Sequence, residues 1–393
     1  MKILSFRLKI IQDSRGQDTL EAEMKNGDLK SVSSVPAGKS KGKLETTTIE
    51  PKAALKKLKT IKQEILGHDF SSILEFDSLL KQLDGTKGKT NLGGNLILVL
   101  SMAFTKLFAK SNNLETFELI AKTMGKSPSK FPYLYFNLIG GGLHAKKSLP
   151  FQEYLLVTKF VSPLKGLNYA KGLVEKLKND IRKNFKEVRM GDEGAFAINT
   201  DDPKVGLNVL QRNIDDRNVS LALDVAASSF YQNDNYQIGQ KILSSDDLLN
   251  YYEKLVEEFS LISIEDPFAE DDRAAFIKIC KRLKNKIWII GDDLTVSNPA
   301  LIKKAKKEKC ATGVIIKPNQ IGSVSEVLKA VKLAQSYGWK IIVSHRSGET
   351  FDDFIADLAY GIGADGLKSG APTQEQRLVK YNRLIEIERS LNK

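Results

Sequence analysis

Cysteine is nearly absent from this chain of 393 residues: Cys280 and Cys310 are the two it has. Two thiols cannot frame a disulfide-stapled fold, and these two lack the paired spacing of a structural zinc site. Long apolar runs are missing too. The longest, residues 96–104, is about half of the ~18 residues a membrane span requires. Arg7 and Lys9 interrupt the first apolar stretch before a secretory core can form, and no small-residue cleavage site follows. No sequence repeat of fixed period is visible. The expectation is a cytoplasmic protein without a membrane span.

Basic residues are abundant, 60 Lys and Arg against 48 Asp and Glu, for a net charge of +12. Lysines crowd residues 52–62, 281–286 and 303–309. In the first cluster Ala54, Leu55, Leu58, Ile61 and Ile65 keep helical spacing, which puts the lysines on the opposite, wet face. Such runs without interleaved aromatics are solvated helix faces rather than nucleic-acid sites. Nothing in the sequence demands a nucleic-acid or extracellular partner.

A length beyond the roughly 250–300 residues of a single core predicts two domains. Residues 1–125 read as a smaller α+β domain. Three short strands are expected at 3–11, 19–25 and 29–35, the last two joined at Asn26-Gly27, a tight-hairpin signal. Helical patterns follow at 51–66, 71–83, 92–110 and 114–124. Residues 126–130 read as a linker, and 126–393 as the second domain. There, short apolar runs appear at 133–138, 153–158, 220–223, 261–264, 287–290, 314–316, 340–343 and 365–367. Eight strands with mainly helical crossovers over about 260 residues predict an α/β fold of the closed β/α-barrel kind. An open doubly wound sheet would more often carry a glycine-rich phosphate turn after its first strand.

Three successive runs end in carboxylates: Asp224, Glu265 and Asp292. Barrel sites form at the C-terminal ends of strands, so these side chains are expected to converge as hard oxygen ligands for Mg²⁺. The next runs end in cations: Lys317, then His345 and Arg346 with Ser347, then Lys368. Burial beside a metal predicts a depressed pKa for Lys317, making it a plausible base. Arg346 and Ser347 offer a fork and a hydroxyl suited to phosphate.

The stretches DSRG (13–16), SVPAGKSKG (34–42), GGGLHA (140–145), QEY (152–154), GDEGAF (191–196), LDVAASSFY (223–231), SIEDPF (263–268), GDDLTVSNP (291–299), IKPNQIGSVSE (316–326), VSHRSGET (343–350) and LKSGAP (367–372) run along nearly the whole chain. In that order and spacing they resemble the enolase family. The resemblance implies an enolase-type barrel and Mg²⁺-dependent dehydration of 2-phosphoglycerate to phosphoenolpyruvate. It implies two Mg²⁺ ions, one held tightly by Asp224, Glu265 and Asp292, the second depending on substrate and on Ser40. It matches Lys317 to the base that removes the C2 proton, and Glu193 to the acid that helps the 3-hydroxyl leave, with Glu153 beside it. Burial and Glu153 are then expected to raise the pKa of Glu193. Substrate contacts are implied for His144, Glu153, His345, Arg346, Ser347 and Lys368, with Glu265 and Asp292 also facing the substrate.

The chain departs from the family pattern in several places. Lys39 and Lys41 flank Ser40 where the family reads SGAST, and cations there should weaken the second metal unless they point outward. The acidic run after Gly42 is missing, Lys146 follows the GGGLHA stretch, and Pro318 stands where a valine is usual. The resemblance further implies a homodimer joined by ion pairs between the N-terminal strands and the C-terminal helix. Glu386 and Arg389 reverse the usual charges, so the pairs expected here are the crossed ones, Lys9 with Glu386 and Glu21 with Arg389. The other readings are a lyase of the wider superfamily on a different carboxylate, against which the 345–347 run with Lys368 argues, and a binding protein of weak activity.

Overall fold

The computed structural model describes residues 1–39, 42, 44–128, 130–145 and 149–392. Three antiparallel strands open the chain: β1 (Ser5–Gln12), β2 (Asp18–Asn26) and β3 (Leu29–Ser34). The turn between β2 and β3 places Gly27 at φ +58°, a conformation that disfavours a side chain. The sheet packs against helix Gly94–Ser111, which is buried nearly all round. That helix contains the 96–104 run. Its apolar character serves a core, and among the described residues no helix is long and apolar enough to cross a membrane.

All eight expected runs become strands of one closed ring among the described residues. They are β4 (Tyr133–Gly140), β5 (Glu153–Thr158), β6 (Val219–Asp224), β7 (Leu261–Glu265), β8 (Trp288–Gly291), β9 (Gly313–Ile316), β10 (Lys340–Ser344) and β11 (Gly366–Lys368). Neighbours in sequence are neighbours in the ring, and β11 pairs with β4 to close it. Strand β5 runs antiparallel to both β4 and β6, whereas the remaining pairs are parallel. The physical reason lies in the shortness of the connection between β4 and β5, whose described residues include one turn of 3₁₀ helix at Gly142–His144, since a parallel return needs a longer, usually helical crossover. Tyr135, Leu155, Val157, Ala222, Ile290, Ile315 and Ile342 fill the ring's interior, so it is a packed core rather than a pore.

The N-terminal segment is anchored to the barrel at its helical side. Ser325 N donates to Asp77 Oδ2 at 2.7 Å and Val324 N to Ser101 Oγ at 3.0 Å. Both caps satisfy the first amides of helix Val324–Ser336 from another part of the chain. A second anchor is nearer the site. Ala37 and Gly348 exchange two backbone hydrogen bonds of 2.9 Å. A Cβ on Gly348 would come within 2.0 Å of Asp13 Oδ2, so only glycine lets the three segments meet.

Candidate active site

The carboxylates converge as the barrel geometry requires. Glu153, Asp224 and Glu265 occupy one register row across β5, β6 and β7, and so project from the same face of the sheet. Asp292 follows β8 directly, Lys317 follows β9, His345 follows β10, and Lys368 ends β11. Non-glycine residues with positive φ lie just beyond the three carboxylates: Ala226 at +46°, Asp266 at +40° and Val296 at +38°. Such conformations cost on the order of 1–3 kcal/mol each. Asp266 offsets its own by accepting Asp292 N at 2.9 Å and Asp293 N at 2.8 Å.

Two lysines neutralise this acidic row. Lys368 Nζ lies 2.8 Å from Glu265, 3.0 Å from Asp224 and 3.1 Å from Glu153. Lys317 Nζ donates to Asp292 Oδ2, and Gln320 Nε2 donates to Asp292 Oδ1 at 3.0 Å. Burial pushes the Lys317 ammonium toward neutrality, but the Asp292 carboxylate outweighs it and holds the pKa above the ordinary lysine range. The depression expected of Lys317 belongs to a lysine beside a bound metal; the Asp292 carboxylate by itself acts in the opposite direction. Asp292 is in turn lowered, burial opposing and Lys317 prevailing.

Glu193 sits in the turn between two short strands, Arg189–Met190 and Phe196–Ala197. Asn137 Nδ2 donates to its Oε2 at 3.1 Å, and His345 Nε2 lies 3.4 Å away. His144 Nδ1 stands 3.5 Å from Glu153 and 3.6 Å from Glu193 without closing a hydrogen bond. Here an expectation is reversed. Burial raises the Glu193 pKa, but His345, His144 and Arg377 lower it further, to well below the carboxylate range. Burial and then the surrounding carboxylates instead raise Glu153, against the pull of Lys368. The two neighbouring carboxyls are therefore pushed in opposite directions. Burial also pushes His345 down to about 4, so its ring is neutral near pH 7.

Arg346 is fully engaged. Its guanidinium takes both oxygens of Glu45 at 3.0 Å and donates to Asn319 Oδ1 at 3.0 Å. Arg15 Nη1 donates to Ser347 Oγ at 3.2 Å. His144, Glu153, Glu193, Asp224, Asp292, Lys317, His345, Arg346, Ser347 and Lys368 line one pocket of about 250 Å³, and Glu265 is recessed from it. Ser40 and Lys41 lie outside the described residues. Lys39 is turned toward Asp192, at 2.7 Å.

Several polar partners were not singled out by sequence reasoning. Arg15, Gln152, Asn319 and Gln320 lie inside the quoted motifs. Asn137 had a signal of its own, as a buried polar residue within an apolar strand. Glu45 and the fully buried Arg377, which donates to Arg346 O and Ser347 O at 2.6 Å, had none.

The donor set suits a hard divalent cation. Glu265 Oε1 is buried without a hydrogen-bond partner, and burial with the neighbouring Asp224 charge raises its carboxyl well above the usual range. Among the described residues, the potential ligand sets whose ligand atoms lie within 4.8 Å of one another are Asp266, Asp292 and Asp293, and His144, Glu153 and Glu193. The trio Asp224, Glu265 and Asp292 is not drawn together to that degree, because Lys368 stands among two of its members.

Comparison with known proteins gives the same picture. A family model described as "Enolase, C-terminal TIM barrel domain" matches residues 129–393, and "Enolase, N-terminal domain" matches residues 3–120. The chain belongs to the enolase family. Curated relatives named enolase include one from Mastigamoeba balamuthi, 36% identical over 97% of this chain and 94% of its own length. Enolase B of Dictyostelium discoideum is 36% identical over 100% of this chain and 96% of its own. An enolase of Campylobacter lari is 36% identical over 96% and 95% respectively. The chain is accordingly an enzyme, a lyase of the phosphopyruvate hydratase class, with the metal-ion requirement that enolases imply.

Proposed function

We propose that the pocket dehydrates 2-phosphoglycerate to phosphoenolpyruvate with Lys317 as base and Glu193 as acid. The observation that carries this assignment is that the two groups reach one pocket from separate elements, β9 and the 189–197 turn, with Arg346 and Lys368 between them in the ring. The proton on C2 is very weakly acidic, and its loss adds negative charge to a carboxylate already present. Two Mg²⁺ ions, one at Asp224, Glu265 and Asp292 and one reached by Ser40, would supply the positive charge that offsets it. A cation held at Asp292 would draw that carboxylate's charge away from Lys317, whose role is to take the proton from C2. His144, Glu153, His345, Arg346, Ser347 and Lys368 are assigned to substrate, Arg346 and Ser347 to its phosphate. Glu193 is assigned as the acid that protonates the departing hydroxyl, with Glu153 beside it.

On the same reading, residues 1–125 form the domain that carries the loop and 126–393 the catalytic domain. The protein is a cytoplasmic homodimer. The test of roles compares C2-proton exchange with dehydration. Lys317→Ala should abolish exchange, whereas Glu193→Gln should retain exchange and block loss of the hydroxyl. Equal loss of exchange in both variants would overturn the division.

A further inference from the structure

Strand β1 is an edge of the N-terminal sheet: β2 pairs with it on one side, and among the described residues no strand pairs with it on the other. Helix Pro51–Leu66 lies beside that edge, and a groove of about 480 Å³ runs between them. Its floor is apolar, made by Phe6, Leu8, Leu55 and Leu58. Arg7 lines it as well. Successive strand residues point to opposite faces, so a groove that meets Phe6, Arg7 and Leu8 alike follows the strand's edge rather than one face of the sheet. The rim is entirely basic. Lys52, Lys56 and Lys59 form one row along the helix, and Lys62 reaches over the Phe6 ring at 5.7 Å. No acidic residue lines the groove, and among the described residues none of these four lysines closes an ion pair.

We propose that this groove docks an extended acidic segment of a partner protein, with aliphatic side chains on the floor and carboxylates on the lysine row. Charge complementarity sets the sign of the occupant: four ammonium groups along about 15 Å of helix repel one another, and carboxylates laid between them offset that repulsion. The same length holds about five residues of extended chain. The free edge sets the kind of occupant. Backbone groups of β1 that β2 leaves unpaired are donors and acceptors for an extended peptide, which neither a fatty acid nor a nucleic acid can reproduce. Lysines beside an open edge also turn away neutral and basic strands, so the partner is selected by its acidity. The groove shares no lining residue with the active-site pocket, and it stands independently of the reaction assigned there. Lys9 and Glu21, the residues of the expected dimer contact, do not line it either.

The test is fluorescence anisotropy of a labelled octapeptide that alternates glutamate and leucine, titrated with the full chain in about 0.05 M KCl. Saturable binding is expected, and replacing the peptide's glutamates by lysines should abolish it. Lys52→Glu with Lys56→Glu and Lys59→Glu should weaken binding at least about ten-fold, the size of three exposed ion pairs. The same reversal at Lys303, Lys304 and Lys307, on helix Pro299–Glu308, removes equal charge and should change binding less than about two-fold. Leu55→Gln should weaken it about three-fold or more, because the floor loses an apolar contact. If melting shows that the triple reversal does not fold, Lys52→Gln with Lys56→Gln and Lys59→Gln takes its place, with at least about three-fold weakening expected. Equal weakening by the two lysine triads would mean a diffuse positive field and would overturn the site. So would a peptide affinity weaker than about 1 mM, or tighter binding of a single-stranded oligonucleotide or of decanoate at the same lysines. A triple reversal that shifts the sedimentation of the protein alone would assign the groove to a second copy of the chain instead.

Discussion

Glu45 and Arg346 form a two-point ion pair, both guanidinium–carboxylate contacts at 3.0 Å and both side chains almost fully buried. The arginine assigned to the substrate phosphate thus already holds an anion, the Glu45 carboxylate. Burial opposes the charge of Arg346 and Glu45 restores it, which raises its pKa above the usual value. Glu45→Gln leaves a buried cation with a neutral partner, at a cost of about 1 kcal/mol or more. The variant should melt earlier than the wild type without ligand and gain more from inorganic phosphate. Thermal melts with and without phosphate decide this; equal phosphate shifts would mean that Glu45 does not compete for the anion.

Asp292 faces both the expected metal and Lys317. Asp292→Asn removes one carboxylate of the acidic row, and Mg²⁺ affinity should fall at least about ten-fold, since outer-shell changes alone cost 10–100-fold. Calorimetric titration of the free enzyme would show it, and an unchanged affinity would remove Asp292 from the ligand set.

Asp77 is a buried acid far from the pocket. Burial pushes its pKa from 3.8 up to about 6, despite hydrogen bonds from Ser101 and Ser325. Because the folded value is the higher one, its stabilising contribution is complete below pH 3.8 and disappears as pH rises through 6. A shift of that size corresponds to about 3 kcal/mol overall. Asp77→Asn can still accept from Ser325 N and does not titrate. Its unfolding free energy, from denaturant titration, should therefore gain on the wild type by about 2 kcal/mol between about pH 4 and pH 7. Parallel pH profiles would show that Asp77 is not the titrating group.

The crossed dimer pairs remain a proposal with a defined competitor. Within one chain Lys9 lies 3.5 Å from Glu21, and Glu386 lies 3.4 Å from Arg383. Association would have to re-pair Lys9 with Glu386 and Glu21 with Arg389. Glu386→Lys should dissociate the dimer in sedimentation, and adding Lys9→Glu should restore it. A wild type that sediments as a monomer at micromolar concentration would end the idea.

The amino-acid sequence by itself determined the strand inventory of the barrel and the residue at the end of each strand. Strands buried on both faces must be continuously apolar, so Asp224, Glu265, Asp292, Lys317 and Lys368 stand out where those runs stop. It also determined the two-residue hairpin at Gly27 and the wet lysine face opposite Ala54, Leu58, Ile61 and Ile65. Tertiary structure alone decided who neutralises whom. Lys368 serves three carboxylates, Lys317 serves Asp292, and Glu45 serves Arg346 across 301 positions of chain. Those partnerships hold the proton on Lys317 and lower the pKa of Glu193, the latter against expectation. A pKa depends on distances of a few ångströms between buried charges, and those distances exist only after strands remote in sequence have closed into a ring.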